Sequence, residues 1–462
     1  MKKSILLMIP LALIAFGCGR RNNSKDPTPP VTTKPTSTKE QPTTKEDPIP
    51  IANKNIYVSY NGKASSDGSE ESNPTTLEHV LDSTNKLLNS GDTIYLAKGT
   101  YTFNDTLVID KSGSEVKRTK LIAPEGAIFD FDSTKGDAYA NNGGITINGS
   151  YWELENITVK NSDYYGFYTI GKGNKFINCT ADKNSNGGFG LKNASVATLN
   201  NCVSTNNKLL AYSTRGFYIL GNSESITFDS CVAQNNYDSG FCIDSSNAKK
   251  ISFNKCLASD NGIEYSTSDR SGFAFKNNDH SFTDCIAYNN GSYGFYVTST
   301  PTEKGKYSLT NCSSINNHEK NYKLNNTNTT VTIKNILSYN TYDDDSDGVV
   351  DATNDVIVGN VTNSLIFYTD GYYYCKSEKN YEPYITTRTK INMSIYTNKF
   401  TINTVIPSEM KKDGNIIYYD SENKINLYNY LDRSIKFQTE LFQKQSITNY
   451  AYFGADINGL DN

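Results

Sequence analysis

The chain has 462 residues, with 45 Lys and Arg against 49 Asp and Glu, for a formal net charge of −4. That balance supplies neither a basic field for nucleic acid nor an acidic one for cationic partners. Hydrophobic residues are 36%, with 33 Tyr and 20 Phe beside one Trp and 4 Met, which argues against a helical bundle, a coiled coil or a multi-span membrane protein and for β structure with many turns.

Lys2 and Lys3 precede an apolar run from Ile5 to Phe16 that is too short to remain in a bilayer and reads as an export signal. Ala15-Phe16-Gly17-Cys18 resembles a bacterial lipobox, although Ala15 and Phe16 replace the usual Leu and small residue. The resemblance implies that residues 1–18 are a lipoprotein signal and that Cys18 carries the lipid, at the outer membrane or cell surface. Residues 19–52 are Thr, Pro and Lys with few apolar side chains. They cannot bury enough surface to offset ordering entropy, so a disordered tether is expected. A folded body is expected over 53–358, and a Tyr-rich extension or cap over 359–462.

Asn55-Ile-Tyr-Val-Ser reads as a first strand, and Thr76 to Leu88 has helical spacing through Leu77, Val80, Leu81, Leu87 and Leu88. This predicted helix would cap the open end of whatever stacks behind it. The centre of the chain repeats. Cys179, Cys202, Cys231, Cys256, Cys285 and Cys312 recur every 23 to 29 residues, flanked by degenerate copies at Ile157 and Ile336. A second motif, Gly-Phe-x-apolar, recurs at Gly166, Gly188, Gly216, Gly240, Gly272 and Gly294, with a weaker copy at Asn321. Short alternating segments and Asn/Gly/Asp/Ser turns fill each unit. Such units, too short for propeller blades, predict an all-β, right-handed parallel β-helix.

The columns fit that fold. Val159, Ala181, Ser204, Ala233, Ala258, Ala287, Ser314 and Ser338 form an inward stack of small residues. Asn161, Lys183, Asn206, Asn235, Asp260, Asn289, Asn316 and Asn340 are expected to form an amide ladder. Stacked cysteines, about 4.8 Å apart from coil to coil, are expected to be reduced and packed.

The cap, the first coil and the Asn-Cys-x-Ala…Gly-Phe units resemble right-handed β-helix polysaccharide lyases, most closely the family 9 pectate-lyase type, over about residues 53–340. The resemblance implies β-elimination on a uronate, with calcium on a DDGFD-like coil and a lysine base on the next. Here the first coil reads Asp238-Ser-Gly-Phe-Cys242-Ile-Asp244 and the second Gly272-Phe-Ala274-Phe-Lys276. Asp238 matches, Ser239 and Cys242 do not, and Ala274 stands at the base position. A displaced site is the functional reading. Lys276 would act as base and Arg270 would sit in register with Asp238, with Asp238 and Asp244 holding metal or substrate; the alternative is two surface ion pairs of little worth. On the same outward face, Tyr168, Tyr218 and Tyr296 are candidates to stack on sugar rings, and Lys192 and Arg215 to meet an anionic glycan.

Asp343, Asp345, Asp347 and Asp351, with Gly348 between them, have the spacing of a calcium loop and suggest structural calcium. Two functions follow. One is a lipid-anchored, monomeric protein cleaving uronate-containing polysaccharide; the other is a non-catalytic glycan-binding or adhesion protein on the same scaffold. A glycoside hydrolase is weaker, since Asp238 and Asp244 lie too far apart along one strand for the usual carboxylate pair.

Overall fold

The computed structural model describes residues 53–131, 144–208, 214–263, 270–298, 304–325, 329–340, 351–362 and 364–368, and after these the backbone of short strands between 371 and 436. Cys18, the tether, and Asp343, Asp345 and Asp347 lie outside the described residues; Asp351 is exposed.

The strands build a parallel β-helix with three walls. One is a ten-stranded parallel sheet that includes Tyr165–Thr169, Gly187–Lys192, Arg215–Leu220, Phe241–Ile243, Ser271–Phe275, Tyr293–Val297 and Lys320–Leu324. The other two walls join through the long strands Thr119–Phe131 and Trp152–Lys160. Parallel pairing continues to Ser364–Tyr368, beyond residue 358. Antiparallel pairing then begins, with Gly371–Ser377 against Ser364–Tyr368 and Asn380–Ile385 beyond it.

The expected helix is shorter than its apolar spacing suggested. It spans only Leu77–Leu81, capped by Thr76, whose hydroxyl accepts from the His79 amide at 3.3 Å. Leu77 and Val80 enter the core, and Leu88 is buried from the turns that follow. Five residues make little more than one turn, so tertiary burial rather than helix propensity holds the element.

In-register stacking explains the repeats. Phe167, Phe189, Phe217, Phe241, Phe273 and Phe295 lie face on face at 4.7–4.9 Å, and Tyr322 closes the column 5.3 Å from Phe295. Each such ring contributes roughly 2–3 kcal/mol by burial. The small-residue column stands as expected, with Ala181, Ser204, Ala233, Ala258, Ala287, Ser314 and Ser338 fully buried and in register. The cysteine column is buried and free of disulfides.

The amide ladder stands one residue later than expected. Asn184, Asn207, Asn236, Asn261, Asn290 and Asn317 are buried, and each side-chain oxygen from Asn207 onward accepts from the side-chain amide of the Asn one coil before, at 2.8–3.1 Å. The expected positions, Asn161 to Asn316, instead hold positive φ between 50° and 59°. Asn suits that left-handed corner because its short polar side chain lowers the steric cost. A partial outer ladder forms there as well, for example Asn235 to Asn206 at 2.7 Å.

The glycine column follows from the inner ladder. A Cβ on Gly240 would stand 2.8 Å from the Asn261 amide nitrogen and 3.0 Å from the Ala233 Cβ. In the last unit Asn321 replaces glycine and ends the ladder, accepting from Asn317 at 2.9 Å and donating to Ser338 at 3.0 Å.

Candidate functional site

The outward face of the ten-stranded sheet carries two side-chain columns. The residue two after each glycine belongs to the column Tyr168, Gly190, Tyr218, Cys242, Ala274, Tyr296, Lys323. The residue just before each glycine lies on the same side. Tyr165 stacks on Tyr168 at 5.6 Å, the Arg215 guanidinium lies 4.3 Å over the Tyr218 ring, and Tyr293 meets Tyr296 at 4.9 Å. The backbone breaks its alternation at the glycine, so each coil offers a pair to this face.

Taken coil by coil, those pairs give the face its relief. Tyr165 and Tyr168 lean over Gly187 and Gly190 of the next coil, where any Cβ would meet their rings within 2.8 Å. Arg215 and Tyr218 follow. The next two coils carry only Ser239 with Cys242 and Ser271 with Ala274, and beyond them stand Tyr293 with Tyr296 and Lys320 with Lys323. The Tyr218 and Tyr296 coils are three steps apart, roughly 14 Å, with a floor of small side chains between them. Asp238 and Arg270 flank this floor on one side, Asp244 and Lys276 on the other.

At the lower wall the charges are paired. Arg215 lies 3.6 Å from the Asp238 carboxylate. Burial works against the Arg215 charge, but the acidic groups around it, with the Asp238 carboxylate the charged one at neutral pH, more than offset this and hold it protonated. Burial likewise raises the Tyr218 phenol, which stays protonated and donates to Asp244 at 2.8 Å. Asp238 also accepts from the Ser239 amide at 2.7 Å. The Cys242 thiol is pushed up to about 12 by burial, against the pull of Arg215, so it is no thiolate at neutral pH.

Several sequence expectations change here. Asp244 is held by Tyr218, and no ion pair joins it to Lys276 among the described residues. Arg270 is buried and packs 4.7 Å over the Tyr237 ring, away from the role of a solvent-facing partner. Among the described residues no three of His, Cys, Asp and Glu come together to hold a metal. Asp238 and Asp244 each meet another partner, Arg215 and Tyr218, and no third such side chain joins either of them among the described residues. Tyr168, Tyr218 and Tyr296 face outward as expected and are half-buried, but each ring already has a neighbour on it. Lys192 is exposed at the end of its strand and Lys276 is half-buried beside the floor.

Sequence reasoning missed Tyr165, Tyr293 and Lys323. Lys323 donates to the Tyr293 hydroxyl at 2.7 Å and lies 4.1 Å and 4.6 Å from the ring centres of Tyr293 and Tyr296. The signal was present in Tyr165-Gly-Phe-Tyr, Arg215-Gly-Phe-Tyr, Tyr293-Gly-Phe-Tyr and Lys320-Asn-Tyr-Lys, where the residue before the glycine varies together with the one after the Phe.

Comparison with known proteins places this geometry. The family described as "Pel9A-like, right handed beta helix region" matches residues 56–343. A protein named pectate lyase L from Thermoclostridium stercorarium is 28% identical over 312 residues, which is 57% of this chain and 24% of that protein. Its namesake from Dickeya chrysanthemi is 29% identical over 269 residues, 53% of this chain and 62% of that one. The chain thus spans less than two thirds of either relative. Among solved structures, pectate lyase Pel9A superposes with a TM-score of 0.56 at 24% identity, covering 68% of this chain and 80% of that one. A rhamnogalacturonan lyase gives 0.53 at 20% identity, covering 68% and 87%. At such identities the superpositions speak for the fold.

Proposed function

The chain belongs to the Pel9A-like right-handed β-helix family, and on that premise we propose that it is a polysaccharide lyase-like protein acting on uronate-containing polysaccharide. The carrying observation is the small-residue floor on the ten-stranded sheet, walled by Arg215 with Tyr218 and by Tyr293 with Tyr296 and Lys323. The relatives named pectate lyase support an acidic glycan as the ligand.

The chemistry is β-elimination. A base removes the proton α to the uronate carboxylate, the adjacent C–O bond breaks, a C=C bond forms in the sugar ring, and the leaving oxygen takes a proton. Lys276, half-buried at the edge of the floor and without an acidic partner among the described residues, is the proposed proton acceptor. Tyr168, Tyr218 and Tyr296 shape the path of the chain, and exposed Lys192 lies along the same face. The donor set at the floor does not fit a calcium ion, so no step is routed through one.

A second reading has its own observation. Ala274, buried in the floor, occupies the position where the resemblance calls for a lysine, which fits a glycan-binding protein without turnover. Incubation with pectate, alginate and rhamnogalacturonan, followed by the ultraviolet absorbance of the unsaturated product, separates the two. Product from any of them supports the lyase; binding without product supports the binder. Export and a lipid on Cys18 belong to the same proposal, and labelled palmitate should enter the wild type and not Cys18→Ala.

A further inference from the structure

We infer that Lys323, with Tyr293 and Tyr296, forms a subsite that captures the carboxylate of one uronate residue. This deepens, and rests on, the reading that the ten-stranded face takes an acidic glycan.

The charge balance along the face carries the argument. At the lower wall Arg215 meets Asp238 at 3.6 Å, and the neighbouring Tyr218 hydroxyl is spent on Asp244 at 2.8 Å. At the upper wall Lys323 has a different environment. Its partners are two aromatic rings and one phenol oxygen, 2.7 Å from the ammonium, and no carboxylate among the described residues pairs with it. Aromatic faces attract a cation without cancelling its charge. An ammonium has three donors, and the Tyr293 oxygen takes one. Lys323 is half-buried, so a carboxylate arriving there meets a cation less screened than one in open water.

Geometry places this charge on the substrate path. Lys323 stands in the same outward column as Ala274 and Tyr296, two coil steps or roughly 10 Å from Ala274. Its neighbour Lys320 contributes little to this balance, because burial lowers its pKa, Asp355 and Glu319 are the acids that act on it, and its ammonium is directed at the Thr353 hydroxyl. Tyr293 is buried beneath the ammonium and Tyr296 is half-buried beside it, so a sugar ring lying along the edge of Tyr296 would turn its carboxylate toward Lys323.

Calorimetric titration with a galacturonate oligosaccharide and with its carboxyl-reduced, neutral counterpart tests the inference. Lys323→Met keeps the unbranched side chain to within one atom of its length and removes the charge. The expected result is an affinity for the acidic oligosaccharide about tenfold weaker, an unchanged affinity for the neutral one, and a shallower salt dependence. Lys323→Arg, which keeps the charge, should bind within a few-fold of wild type, separating loss of charge from loss of fold. If wild type binds the acidic oligosaccharide and Lys323→Met binds it equally well, the subsite is wrong and the function proposed for the face stands. If wild type binds neither this oligosaccharide nor those of guluronate or mannuronate, the function proposed for the face fails and the subsite falls with it.

Discussion

The Tyr218 hydroxyl donates to the Asp244 carboxylate at 2.8 Å across one coil step, so the acid nearest Lys276 along the face is tied to the aromatic wall. Tyr218→Phe would release that acid beside the floor. Its bare charge would repel a polyanion, and affinity for acidic glycan is expected to fall several-fold while thermal stability changes little, because the bond is solvent-exposed and worth about 1 kcal/mol. Titration of Tyr218→Phe beside Tyr218→Phe/Asp244→Asn checks this; the second variant should recover the lost affinity.

The inner amide ladder should dominate the stability of the stack. Asn261→Ala removes the acceptor of the Asn236 backbone N–H and of one of its side-chain N–H donors, which reach the Asn261 oxygen at 3.1 Å and 2.9 Å, while the side chain keeps its bond to the Ser204 carbonyl. A loss of about 2–4 kcal/mol is expected. Asp260→Asn, one residue earlier in the left-handed corner, should cost under about 1 kcal/mol, since Asn tolerates that backbone. Urea unfolding of the two variants distinguishes the columns.

That pair of residues also shows what the sequence could and could not tell. The repeat was legible because in-register stacking puts the same residue type at the same place in every coil, and Cys179 to Cys312 and Gly166 to Gly294 obey that demand. The ladder was misplaced by one because both candidate columns are rich in Asn, as in Asn206-Asn207 and Asn289-Asn290. Only the backbone decides which turns inward. The outward face was half legible for a similar reason. Strict alternation puts Tyr165 and Tyr293 inside with Phe167 and Phe295, but the chain bends at the glycine and sends them out. Ionic partners were the least legible, because Arg215 reaches Asp238 through side-chain direction that periodicity does not encode.

Buried His280 should make the protein acid-sensitive. Burial lowers its pKa to about 4, while in the unfolded chain a histidine titrates near 6.5. The unfolded state therefore takes up the proton first as pH falls. The stability from this group is present above about pH 6.5 and is lost progressively down to about pH 4, by roughly 3 kcal/mol. Melting temperatures from pH 7 to pH 4 should fall more steeply for wild type than for His280→Leu.

The thiols should be silent in the folded protein. Cys179, Cys202, Cys231, Cys242, Cys256, Cys285 and Cys312 are all buried and free. A thiol reagent should leave these seven unmodified under native conditions and reach them only in denaturant, without prior reduction. Mass spectrometry of peptides after labelling in both states reads this directly.

The most direct measurement of the whole account is the initial rate of double-bond formation from uronate polysaccharide by wild type and by Lys276→Ala, with glycan affinity measured in parallel. The account expects product from wild type and at least a hundredfold loss in Lys276→Ala with affinity retained. Equal rates in the two proteins would contradict Lys276 as the base, and an absence of product from wild type on every uronate substrate would contradict the lyase.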